Sequence, residues 1–280
     1  MRKYLLDIKR YNLNSRNRIR SFFILFAYTF VLTSCFQKKS YRYISNASVP
    51  LSEREAILIL PGFGSIVHGN KKQLAYFSNK GYDVHIPKYI KRKSISACVK
   101  RLDSYYKENN LAQYKKVHVF SYIVGSWVLN TYLNQTPQSN IETIQYDRSP
   151  LQERAPYVLT HDSPFLARIV GGKIMWNFRN TPYPPLQNSK AKIGILVESK
   201  ATDLIRKHKR TTMSLGELNW DVSSFKQPYS DYMYIRLNHD EMYFKLDVIG
   251  DQLFQFIKNG SYSSDVQRIP YNWDYFLPYK

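Results

Sequence analysis

A chain of 280 residues, 44% of them hydrophobic, is long enough to bury a sizeable core and too apolar to be a disordered segment. Its two cysteines exclude a disulfide-stapled scaffold. The 41 basic and 21 acidic residues give a formal charge of +20, yet the excess is spread along the chain without a nucleic-acid motif. Nucleic acid is therefore not an expected partner, and no cofactor or metal motif is evident.

The N-terminus reads as an address. Arg2, Lys3, Lys9, Arg10, Arg16, Arg18 and Arg20 precede an apolar run, Phe22–Leu32, that is too short to span a bilayer as a helix. The run ends in Leu32-Thr33-Ser34-Cys35, which resembles the lipobox of bacterial lipoproteins. The resemblance implies cleavage after residue 34, acylation of Cys35 and a membrane tether in the bacterial cell envelope. Phe36-Gln37-Lys38 has no aspartate after the cysteine, so outer-membrane sorting is expected over inner-membrane retention. The first 34 residues carry seven basic residues and one acidic, which leaves +14 on the remainder. Cys98, the other cysteine, recurs with Ile95, Val99, Leu102, Tyr105 and Tyr106 at helical spacing and is expected in the core.

Residues 35–55 are polar and aperiodic and are expected to form a tether. Structure is expected from Ala56 to about residue 260. Ala56–Leu60 is a short apolar strand ending in Pro61-Gly62-Phe63-Gly64. A helix follows around Lys71–Lys80, stopped by Gly81. Asp83–Ile86 is the next strand and Ile95–Glu108 the next helix. Lys116–Tyr122 is a third strand, with a helix over Gly125–Asn134. Strands are expected at Ile141–Tyr146, Lys192–Glu198 and Tyr232–Leu237. Met242, Leu246, Ile249, Leu253 and Phe256 then mark a terminal amphipathic helix. The alternation predicts an α/β domain with a mostly parallel sheet covered on both faces. Residues 148–191 break the rhythm and are expected to form a cap or lid. Residues 261–280 form an aromatic tail, expected to pack on the domain.

The central stretch, Lys116–Asn134, reads as strand, sharp elbow and helix. It resembles the nucleophile elbow of the α/β-hydrolase fold, whose pattern is Gly-x-Ser-x-Gly, and the chain as a whole is similar to lipases and esterases of that fold from Ala56 to about Asn259. The aligned positions are Ser121, Tyr122, Ile123, Val124 and Gly125, so isoleucine stands where the family has its serine. The resemblance implies an oxyanion hole from the backbone N–H groups of Phe63 and Val124. It further implies His239, after the last strand, as the base and Asp203, after the fifth, as the acid that orients it. Asp147, after the fourth strand, is a second candidate for the acid.

Isoleucine can neither attack a carbonyl nor activate water, so the expected function is binding of an acyl or ester-type ligand, or of a partner, by a hydrolase-like pseudoenzyme. The alternatives are an active carboxylic-ester hydrolase with a displaced serine or a His239-activated water, and an envelope scaffold. Ser121 lies two residues earlier on the strand, about 6.6 Å away at about 3.3 Å per residue. Ser126 begins the following helix, while Ser65 and Ser163 lie in loops. A β-branched residue resists the positive φ of a strained elbow, which leaves a relaxed turn or a side chain filling the pocket floor.

Overall fold

The computed structural model describes residues 39–63 and 67–278. The signal segment, Cys35, Gly64 and Ser65 lie outside the described residues. Seven strands form one sheet: β1 (Tyr41–Tyr43), β2 (Glu55–Leu60), β3 (Asp83–Ile86), β4 (Lys116–Ser121), β5 (Ile141–Arg148), β6 (Lys192–Glu198) and β7 (Asp231–Ile235). Their order across the sheet is β1-β3-β2-β4-β5-β6-β7. Edge strand β1 runs antiparallel to β3, and every other pair is parallel. The parallel strands are connected by crossovers, which in sequence include α1 (Val67–Ser78), α2 (Ile95–Glu108) and α3 (Ile123–Gln135), and α9 (Leu246–Asn259) follows the last strand.

The two-residue period of a strand sorts its side chains between two cores. Ala56, Leu58 and Leu60 of β2 join one cluster with Val99 and Leu102 of α2 and Val128 and Leu129 of α3. Ile57 and Ile59 join the other, with Phe77 of α1 and Ile249, Leu253 and Phe256 of α9. Both faces of β2 are thus buried, which explains its uninterrupted apolar run. Ser94 caps α2, its hydroxyl accepting from the Ala97 N–H at 3.1 Å.

Two stretches differ from expectation. Residues 35–55 are not all tether: β1 pairs Tyr41 with Ile86, and the Ser45 hydroxyl donates to Asp83 at 2.7 Å. A three-residue edge strand has too few positions to show a period, so only its pairing reveals it. Residues 148–191 contain α4 (Ala155–Asp162), α5 (Pro164–Val170) and α6 (Ile174–Asn180), and two more short helices, α7 (Asp203–Lys207) and α8 (Lys209–Ser214), follow β6. The tail packs on the domain. The Trp273 indole N–H donates to the Ser199 carbonyl at 2.9 Å, and the Ala201 N–H donates to the Tyr275 carbonyl at 2.8 Å. Among the described residues no helix is long and apolar enough to cross a membrane.

Candidate functional site

Side chains at the carboxyl ends of parallel strands face the crevice where ligands of open α/β sheets bind. Three such positions converge here. Asp147 is the penultimate residue of β5, Glu198 is the last of β6, and His239 lies in the loop after β7. The His239 Nδ1 is 2.7 Å from Glu198 Oε1, in a hydrogen bond, and 3.2 Å from Asp147 Oδ2. Both carboxylates are wholly buried and His239 is 6% exposed.

Burial penalises every charge in this group, and the mutual interactions decide the outcome. For Glu198, burial and then the neighbouring Asp147 charge push the carboxyl well above the ordinary range. Burial likewise raises Asp147, opposed by its contact with His239. For His239, burial opposes the charged form, but the Glu198 charge, the contacts with both carboxylates and the Asp147 charge together hold its pKa well above the ordinary value. The site therefore favours the protonated ring, which donates from Nε2.

Aromatic rings fix the orientation of the histidine. Tyr122 and Tyr243 stack face to face with centroids 3.9 Å apart, and each meets His239 edge-on at 5.8 Å. The Tyr122 hydroxyl donates to the Met242 carbonyl at 3.1 Å and accepts from Gln73 at 2.6 Å. The Gly62 N–H donates to the Tyr243 hydroxyl at 2.8 Å. A Cβ on Gly62 would come 3.5 Å from His239 Nε2, which places that nitrogen beside the turn after β2. Among the described residues Nε2 takes no hydrogen-bond partner.

Asp203 does not join this group. It opens α7 with an exposed carboxylate and pairs with Arg206 one turn on. There it acts as an acidic residue at a helix N-terminus, and the carboxylates against His239 are Asp147 and Glu198. Glu198 was legible as a charged residue ending the otherwise apolar run Ile193–Val197, although its partner lies 41 residues away.

The elbow has relaxed. Tyr122 is extended at φ −73° and ψ 164°, helix α3 starts at Ile123, and none of the elbow residues has a positive φ. Gly125 permits a close crossing, because a Cβ there would lie 2.3 Å from the Leu60 carbonyl oxygen. Ile123 is 5% exposed. The Ser121 and Ser126 hydroxyls are 3.0 Å apart and bonded to each other, and Ser126 is also within 3.2 Å of the Tyr122 carbonyl. Ser163 sits between α4 and α5 and accepts the Ala167 N–H through its carbonyl. Among the described residues no hydroxyl is bonded to His239. Val124 lies in the first turn of α3, where N–H groups lack intrahelical acceptors. It packs on the same cluster as Phe63, whose ring meets Phe178 edge-on at 5.9 Å.

No protein-family model and no curated protein sequence matches the chain. Among solved structures it is similar to a carboxylesterase of the thaumarchaeon Nitrososphaera gargenis, with 11% identity over 79% of this chain and 94% of that one, at a TM-score of 0.48. It is similar to an epoxide hydrolase from Vigna radiata, with 12% identity, 79% and 99% coverage and a TM-score of 0.47. A third is the mouse alpha/beta hydrolase domain-containing protein 10, with 9% identity, 78% and 92% coverage and a TM-score of 0.47. The strand order, the single antiparallel edge strand and the strand-elbow-helix at β4, with carboxylates at the ends of β5 and β6 and a histidine after β7, give this chain the α/β-hydrolase fold.

Proposed function

We propose that this chain is a ligand-binding protein on an α/β-hydrolase scaffold whose serine-esterase chemistry is silent, held at a bacterial envelope membrane through acylated Cys35. The observation that carries the reading is Ile123, buried at the first position of α3, with the adjacent Ser121 and Ser126 hydroxyls engaged with each other. The two buried carboxylates against Nδ1 support it, because they raise the pKa of His239 and so favour the protonated ring over the free Nε2 lone pair that a general base needs. The Nε2–H beside Gly62 instead suits a ligand acceptor, such as the carbonyl or carboxylate of an acyl or ester-type compound.

The test is fluorophosphonate labelling of the purified protein, together with turnover of short-chain p-nitrophenyl esters. The expected result is neither labelling nor turnover above a heat-denatured control. Robust labelling and turnover that His239→Ala abolishes would overturn the reading in favour of a displaced serine or a histidine-activated water.

A further inference from the structure

One ligating atom each from Asp147, Glu198 and His239 lie within 4.8 Å of one another, and all three residues are buried. Orienting a histidine takes one carboxylate, and this site has two. Two ionised carboxylates held out of water need two compensating charges. Neither Asp147 oxygen completes a hydrogen bond, and Glu198 Oε2 is unpartnered as well. A divalent cation in place of the Nδ1 proton makes the count neutral, with two carboxylates against two positive charges and a neutral imidazole as third ligand.

We propose that Asp147, Glu198 and His239 Nδ1 form a divalent-cation site of the two-carboxylate, one-histidine type. The edges of 2.7 Å and 3.2 Å from Nδ1 to the two oxygens match ligands on one ion at about 2.1 Å, subtending roughly 80–100°. Angles near 90° with oxygen and imidazole donors suit Mn2+ or a Zn2+ ion of raised coordination number. The ligands lie 51 and 41 residues apart along the chain, which hides the set from any reading by spacing. The site uses the histidine of the binding function proposed above but not its silent nucleophile, so fluorophosphonate labelling and metal binding fail independently.

The test is calorimetric titration of chelator-stripped full-length protein with Zn2+. A surface histidine pair serves as the control, His161 and His208 each contacting Asp162, at 2.7 Å and 2.6 Å. The expected result is one tightly bound equivalent, weakened at least about tenfold by Asp147→Asn and by Glu198→Gln, and retained in His208→Ala. Absence of binding by the wild type would overturn the proposal and leave a second proton as the balancing charge. Binding that survives both carboxylate substitutions and is lost in His208→Ala would overturn it as well. Should the variants fail to fold, Mn2+ titration of the wild type followed by imidazole NMR decides. Preferential broadening of His239 among the six histidines supports the site, and its absence overturns it.

Discussion

In the proposed reading Ile123 stands in the nucleophile's place, which changes what the elbow must do. A serine at a strained tip exposes its hydroxyl, whereas Ile123 takes an ordinary helical conformation and contributes apolar burial. Gly125 still bears the constraint of the close crossing. Gly125→Ala drives a methyl group into the Leu60 carbonyl, so a loss of about 3 kcal/mol is expected, with a thermal midpoint roughly 6–12 °C lower. An unchanged midpoint would show that α3 can move away from β2. A second residue-scale prediction concerns His85, which bridges the Tyr105 and Tyr114 hydroxyls at 3.2 Å each. Burial, reinforced by the Arg42 charge, lowers its pKa from 6.5 to about 4. The folded state keeps the ring neutral while the unfolded chain protonates it near 6.5. Its contribution is therefore complete above pH 6.5 and lost as pH falls toward 4, by about 3 kcal/mol. Denaturant titrations across that window should show a steeper acid loss for wild type than for His85→Gln.

At the scale of elements, legibility followed burial and length. The limits of β3, α2 and β6 coincide with the apolar patterns Asp83–Ile86, Ile95–Glu108 and Lys192–Glu198, because each buries a complete period. Strand β1 and helices α4 to α8 escaped notice because they are too short for a period to emerge and owe their form to distant partners. The site was half legible for the same reason. His239 and the elbow stand at positions marked by strand ends, but which carboxylates meet the histidine depends on through-space distance, and Asp203, expected there, lies at a helix terminus instead. The tail is a further element with local consequences. It bonds Ser199 and Ala201, the residues that follow Glu198, and its Gln267 carbonyl accepts the N–H of Tyr234 in β7. Deleting residues 261–280 is expected to lower the thermal midpoint by more than 10 °C and to alter the His239 imidazole NMR signal. A deletion that leaves both unchanged would mean that the tail rests on the surface without holding the β6 connection.

For the whole molecule, the sheet brings a histidine, two carboxylates and an aromatic wall to one end of the strands and places the apolar Ile123 at the start of the helix after β4. If the surrounding machinery is otherwise intact, restoring a hydroxyl should lower stability, because a buried isoleucine is lost, by about 2–4 kcal/mol. It should also create a reactive serine, and the raised pKa of His239 moves the onset of its reactivity to higher pH, where the ring can accept a proton. The most direct measurement of the central claim compares fluorophosphonate labelling of wild type and Ile123→Ser across an alkaline pH series. No labelling of the wild type is expected at any pH, and labelling of Ile123→Ser should rise with pH and be lost in the double variant with His239→Ala. Stoichiometric labelling of the wild type, dependent on His239, would contradict it.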